Sequence, residues 1–279
     1  MKKNLLFFAN CQGPAIIQAL KHVDIFANNY DVKCYSNYLE DYENNIIEDA
    51  ITNADVIIYQ PLHNINHSTD NLLKLKKESA VTISFPYIYC NWLWLFYVVN
   101  KRGDIIFFDD NVIRDLKNKY NPTEIIELYK EGKIDFKIEE RKQKSINILK
   151  DKEKNTDIKI TDFILTNYKT KRLFNTPNHP THHILINCSN QILKILNIDY
   201  IIPESLNIGE YNDFKYLPIS DKIHTTYELT YKDDNDSFYL QMLTDILNDF
   251  QEKYHLNHPY RRAYFDYSNY TIYNYSTLN

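Results

Sequence analysis

Two short segments carry most of the chemistry this chain could perform. The first is Asn10-Cys11-Gln12-Gly13, which follows the apolar run LLFFA at residues 5–9 and precedes Pro14 and a helical pattern. A thiol at a strand-to-helix turn meets the positive end of the helix, a field that lowers a cysteine's pKa and favours the nucleophilic thiolate. Backbone amides of such a turn, with Asn10, Gln12 and Gly13 around them, can bind an oxyanion or substrate. The alternative is a cysteine that only fills space; the polar flanks and the position favour chemistry for Cys11. Cys34, Cys90 and Cys188 lack that setting and read as space-fillers.

The second segment is Asn178-His179-Pro180-Thr181-His182-His183. Pro180 suits the start of a helix, which leaves His179 in the loop before it as a general base or acid. Asn178 could bind an oxyanion or substrate, or Asn178 and Thr181 could instead cap that helix. His179, His182 and His183 together raise a metal reading, but no carboxylate or cysteine is spaced to complete a site, and His63 with His67 adds only a loose pair. No metal is expected. Gln60-Pro61 closes an apolar strand pattern, so Gln60 could donate to a substrate or oxyanion, or simply mark the strand's end; Phe85-Pro86 closes the next. Lys171 and Arg172, with His182 beyond them, could pair with a phosphate of a bound cofactor; the alternative for Lys171-Arg172 is a solvated surface pair.

These groups need a frame. Residues 5–9, 31–35, 54–59 and 80–85 read as strands, alternating with helical patterns at 14–22, 43–51 and 72–77, the signature of βα units on a mainly parallel sheet. In such sheets sites lie beyond the carboxyl ends of the strands, where Cys11, Gln60 and Phe85-Pro86 all fall. The aromatic run at 92–97 reads as a buried helix. A polar stretch with helical patterns at 112–119, 123–130 and 139–150 reads as an insertion or lid, and helices follow at 160–168, 184–196 and 238–254. We expect a single α/β domain: core at about 1–108 and 157–215, helical insertion at about 109–156, and a C-terminal helix and docked tail at about 216–279.

Composition narrows the function. The net charge of −5 is spread along the chain without a basic stripe, which argues against nucleic acid. The opening apolar run is too short for a signal peptide or a membrane span, and four widely spaced cysteines argue for reduced thiols, so a cytoplasmic location is expected. With only four glycines, neither G-x-G-x-x-G nor G-x-x-x-x-G-K-[ST] can occur.

Four blocks resemble the WcbI-like polysaccharide biosynthesis proteins, described as acetyltransferases of bacterial capsule loci. They are Phe8-Ala9-Asn10-Cys11-Gln12-Gly13, then Ala54-Asp55-Val56-Ile57-Ile58-Tyr59-Gln60-Pro61, then Phe85-Pro86, and last Arg172-Leu173-Phe174-Asn175-Thr176-Pro177-Asn178-His179-Pro180-Thr181. Ala9 departs from the glycine the family usually has before Asn-Cys-Gln. The resemblance implies a fold similar to the SGNH (GDSL-type) hydrolases, a flavodoxin-like three-layer sandwich, with cysteine in place of their serine and a coenzyme A ligand, coenzyme A or acetyl-CoA serving as substrate. It makes Cys11 the nucleophile or cofactor-facing thiol, His179 the base, and Asn10, Gln12 and Gln60 polar groups of the pocket. Acetyl transfer to a sugar or polysaccharide precursor is the leading expectation. An esterase or thioesterase of the same architecture, or a non-catalytic glycan-binding module using the many tyrosines, stands as the alternative.

Overall fold

The computed structural model describes residues 1–37, 44–62, 68–95, 98–99, 105–106, 111–208, 217–232 and 236–247. Its centre is a four-stranded, all-parallel sheet of order β2-β1-β3-β4, built from β1 (Lys3–Ala9), β2 (Tyr30–Ser36), β3 (Val56–Tyr59) and β4 (Val81–Ser84). The apolar run of β1 is buried on both faces, as a central parallel strand must be. Leu5, Phe7 and Ala9 face one core, which also holds α1 (Gln12–Lys21) and α9 (His182–Ile195). Leu6 and Phe8 face the other, packed with Ile47 and Ile51 of α3 (Asn44–Asn53). Between them α2 (Asp24–Asn29) leads into β2, a short helix absent from the sequence expectation.

The remaining elements depart more from that expectation. The helical face read at 72–77 is α4 (Thr69–Leu72) followed by a 3-10 turn at Leu73–Leu75. It starts earlier because the Thr69 hydroxyl bonds both polar groups of Leu62, and it ends where Lys76 turns extended. Trp92 to Leu95 are buried but form turns, not the expected helix; the Trp94 indole donates to Leu217 O, and the chain continues into β5 (Val98–Val99), paired antiparallel with β6 (Ile105–Ile106). The rest of that aromatic run lies outside the described residues.

Helices α5 (Asn111–Lys117), α6 (Pro122–Lys130) and α7 (Ile138–Lys154) occupy the polar stretch. Their sparse apolar residues, among them Ile113, Ile125 and Leu149, join the main core. Arg141 of α7 donates to the carbonyls of Trp94 and Leu95, and the Lys142 ammonium sits 4.5–5.5 Å from the ring centroids of Trp92, Tyr168 and Tyr227. After α8 (Thr161–Asn167) comes a hairpin, β7 (Phe174–Thr176) and β8 (His179–Pro180), then α9, α10 (Asp221–Tyr227) and α11 (Asp236–Leu247). The tail expected at 260–279 and the end of the helix expected at 238–254 lie outside the described residues.

Candidate active site

The chain leaves β1 for β2 on one side and β3 for β4 on the other. The switch point lies between the carboxyl ends of β1 and β3, the place where open α/β sheets bind ligands. Cys11 stands at its edge, half-buried, in the residue preceding α1. Close packing fixes this entry: a Cβ on Gly13 would lie 2.9 Å from the Ala9 Cβ, so only glycine lets the helix start so near the strand. Gly13 is therefore a packing residue inside α1 rather than the turn itself.

Two buried glutamines hold these strand ends together. Gln60 Oε1 accepts from the Asn10 N–H at 2.9 Å, and its Nε2 donates to Gln12 Oε1 at 2.9 Å. The Gln12 amide in turn donates to Ile88 O at 2.7 Å and Asn178 O at 3.0 Å, and accepts from the Ile88 N–H at 3.3 Å. Every polar position of Gln12 is satisfied inside the protein. The expectation that the Gln12 and Gln60 side chains bind an oxyanion or substrate is corrected accordingly: they are clasps that join the ends of β1 and β3 to residue 88 and to the histidine hairpin. The turn amides are also taken. The Gln12 N–H donates to Asn10 Oδ1 and the Gly13 N–H to Asn10 O, both at 2.9 Å, so Asn10 serves the helix start with its side chain.

The same clasp sets the position of the histidine. Because Gln12 follows Cys11 and Asn178 precedes His179, their bond ties the chain beside Cys11 to the chain beside His179; the Cys90 N–H adds a 2.7 Å bond to Pro177 O. His179 is not in a loop, as read from Pro180, but on β8, opposite Thr176 across a two-residue turn. The antiparallel pairing and the Thr181 N–H bond to Leu173 O delay the helix to His182. The Thr176 hydroxyl contacts His179 Nδ1 at 2.5 Å and donates to Asn178 Oδ1 at 3.1 Å. Burial, with the residue only 2% exposed, lowers the His179 pKa from 6.5 to about 4 and keeps it neutral. Thr176 went unread in the sequence because its role depends on a hairpin with too few residues to show a period.

The expected phosphate-binding residues divide. Lys171 is paired with both oxygens of Glu204, at 2.6 and 2.9 Å, near the start of α9. His182 stacks on His183 with ring centroids 4.0 Å apart, and His183 Nδ1 lies 4.0 Å from the same carboxylate. Burial lowers both imidazoles, His183 to about 4, assisted there by His182. Arg172 instead turns to Leu217 O and the ring of Tyr231. Glu204 and His183 joined this cluster without a sequence signal linking them. Burial pushes the thiols of Cys34 and Cys188 up to about 12, and that of Cys90 higher still. Among the described residues no three His, Cys, Asp or Glu side chains converge to hold a metal ion, and no helix is long and apolar enough to cross a membrane. His63 and His67 lie outside the described residues.

Comparison with known proteins places this geometry in context. The family model described as polysaccharide biosynthesis enzyme WcbI matches residues 4–200. No curated protein matches the sequence. One solved structure is similar, with TM-score 0.72 and 19% identity over 90% of this chain and 91% of the other; it is described as WcbI, a novel polysaccharide biosynthesis enzyme, in a native form without a disulfide bond between coenzyme A and one of its cysteines. At that identity the likeness speaks for the fold.

Proposed function

The chain belongs to the WcbI family of polysaccharide biosynthesis enzymes, and we propose that it transfers an acyl group, in the first instance acetyl, from coenzyme A to a sugar hydroxyl. The observation that carries this reading is the Gln12 clasp, which ties the chain beside a half-buried thiol at a helix start to the chain beside a neutral, hydrogen-bonded imidazole. A nucleophile and a base held by rigid elements, with the base oriented by a third group, is the arrangement acyl transfer needs. The relative's description, a native form without a disulfide bond between coenzyme A and a cysteine, names the coenzyme and a cysteine together, which supports by analogy a thiol that faces the coenzyme.

In the reaction proposed, His179 accepts the Cys11 proton while sulfur attacks the thioester carbonyl. The carbon–sulfur bond to coenzyme A breaks and the departing thiolate takes that proton. The sugar hydroxyl then gives its proton to His179, its oxygen attacks the acyl-Cys11 carbonyl, and Cys11 leaves to be reprotonated. The positive end of α1, worth roughly half a charge at its terminus, lies beside the sulfur in both steps. Lys171 and His182 are proposed for the coenzyme's phosphates. The Glu204 carboxylate between Lys171 and His183 occupies a position an incoming phosphate would contest. Arg172, turned to Tyr231 and Leu217, is not carried into this role.

Thermal melting with coenzyme A tests the donor, since a ligand of the native state must raise the transition temperature. A saturable rise is expected, weaker in Lys171→Ala. No rise at millimolar coenzyme would contradict the reading.

A further inference from the structure

The segment that leaves β4 crosses the site before it descends into the core. Pro86 O lies 3.5 Å from Gln60 Nε2 at the end of β3, and both backbone groups of Ile88 bond Gln12 at the end of β1. The chain here is extended and alternates: Ile88 and Cys90 are buried, whereas Tyr87 and Tyr89 are half-buried, with ring centroids 6.0 Å apart and planes at 40°. Two phenolic rings thus lie along the path from β4 towards the Cys11 corner.

The end of α7 meets this pair. Lys152 Nζ lies 4.7 Å from the Tyr87 centroid, and among the described residues it has no carboxylate partner. Each acid near it in sequence is engaged elsewhere. Asp151 pairs with Lys154 at 2.7 Å, Glu153 accepts from the N–H groups of Ile160 and Thr161, and Asp157 accepts from the Ser84 N–H and hydroxyl at 2.7 Å. Burial lowers the Lys152 pKa, and among the described residues no anion offsets it. A partly dehydrated cation without a counter-ion is costly to maintain, and a bound anion relieves that cost.

We propose that Tyr87, Tyr89 and Lys152 form the acceptor subsite, and that the acceptor is a sugar carrying a phosphate at its reducing end, a glycosyl phosphate rather than a neutral glycan. Tyr89, half-buried beside Tyr87, supplies apolar ring surface to the C–H side of a pyranose, and Lys152, held over the Tyr87 ring, supplies a charge-assisted bond to the phosphate. The inference rests on the acyltransferase reading for the name of the subsite, but its test does not use acyl transfer.

Titration calorimetry of the full chain with glucose 1-phosphate, uridine diphosphate glucose, free glucose and inorganic phosphate reads it directly. Both phosphorylated sugars are expected to bind more tightly than glucose or phosphate alone. If uridine diphosphate glucose binds the better, the acceptor is nucleotide-linked; if glucose 1-phosphate does, a simple ester is the source. Lys152→Met, which keeps the stem, is expected to weaken binding roughly tenfold or more, with Lys152→Arg restoring most of it. Tyr89→Leu is expected to weaken the sugar phosphates but not inorganic phosphate. The coenzyme-induced melting shift should persist in all these variants, which separates failure of the subsite from failure of the donor assignment. Equal binding by wild type and a folded Lys152→Met, or phosphate binding as tightly as the phosphorylated sugars, would overturn the proposal, as would the absence of any sugar phosphate binding.

Discussion

The Thr176 hydroxyl has one proton and two partners, Asn178 Oδ1 at 3.1 Å and His179 Nδ1 at 2.5 Å. When the proton goes to Asn178, the contact with His179 needs the imidazole to donate from Nδ1. In that tautomer Nε2 is the basic nitrogen, which is the form the proposed reaction uses. Thr176→Val removes the acceptor and strands a buried N–H, so the ring no longer favours one tautomer. The expected result is a fall in kcat of about tenfold to a hundredfold, with little change in KM for acetyl-CoA, and recovery in Thr176→Ser. Release of the coenzyme thiol at steady state measures both quantities. Wild-type kcat in the valine variant would remove the orienting role from Thr176.

At the scale of elements, the site is only as rigid as the junction of β1, β3, the segment at 85–90 and the β7–β8 hairpin. Gln12 and Gln60 make that junction with buried amide bonds in a low-dielectric setting, where leaving partners unpaired costs more than the bonds contribute when formed. Gln12→Leu keeps the volume but abandons Ile88, Asn178 and Gln60. It is expected to lower unfolding free energy by on the order of 3 kcal/mol, read from urea midpoints. A midpoint equal to wild type would mean that the hairpin is held by other contacts. The strands that frame this junction were legible because a central parallel strand must be apolar on both faces, as LLFFA is. The hairpin was not: strands of three and two residues carry no period, and Pro180 read alone as a helix start. The glutamines were legible as position and illegible as role, since a polar residue after a strand looks the same whether it greets a substrate or a neighbouring carbonyl.

For the whole molecule, neutral buried histidines tie folding to acidity. His179 titrates near 4 when folded and near 6.5 when unfolded, so as pH falls through 6.5 the unfolded chain takes up a proton the native one refuses. Stability is therefore full above that range, declines between about pH 6.5 and 4, and levels below; a displacement of this size corresponds to on the order of 3 kcal/mol. The half-buried His183 acts in the same direction. Urea midpoints of wild type should drop between about pH 7 and pH 4.5, and those of His179→Gln should drop less; parallel curves would show that the imidazole is not held neutral. At this scale the α/β class and the mainly parallel sheet were readable from alternating apolar runs, and the match over residues 4–200 agrees with the family resemblance drawn from four short blocks. What the sequence concealed were pairings between distant segments, such as Lys152 with Tyr87 and Lys171 with Glu204, which no local pattern encodes. The central claim is that the Cys11 sulfur receives the acyl group, and rapid-quench mass spectrometry after mixing with acetyl-CoA tests it most directly. One acetyl on the peptide containing Cys11, labile to neutral hydroxylamine and absent in Cys11→Ala, is the expected result. Acetyl on another residue, or undiminished turnover of acetyl-CoA by Cys11→Ala, would contradict it.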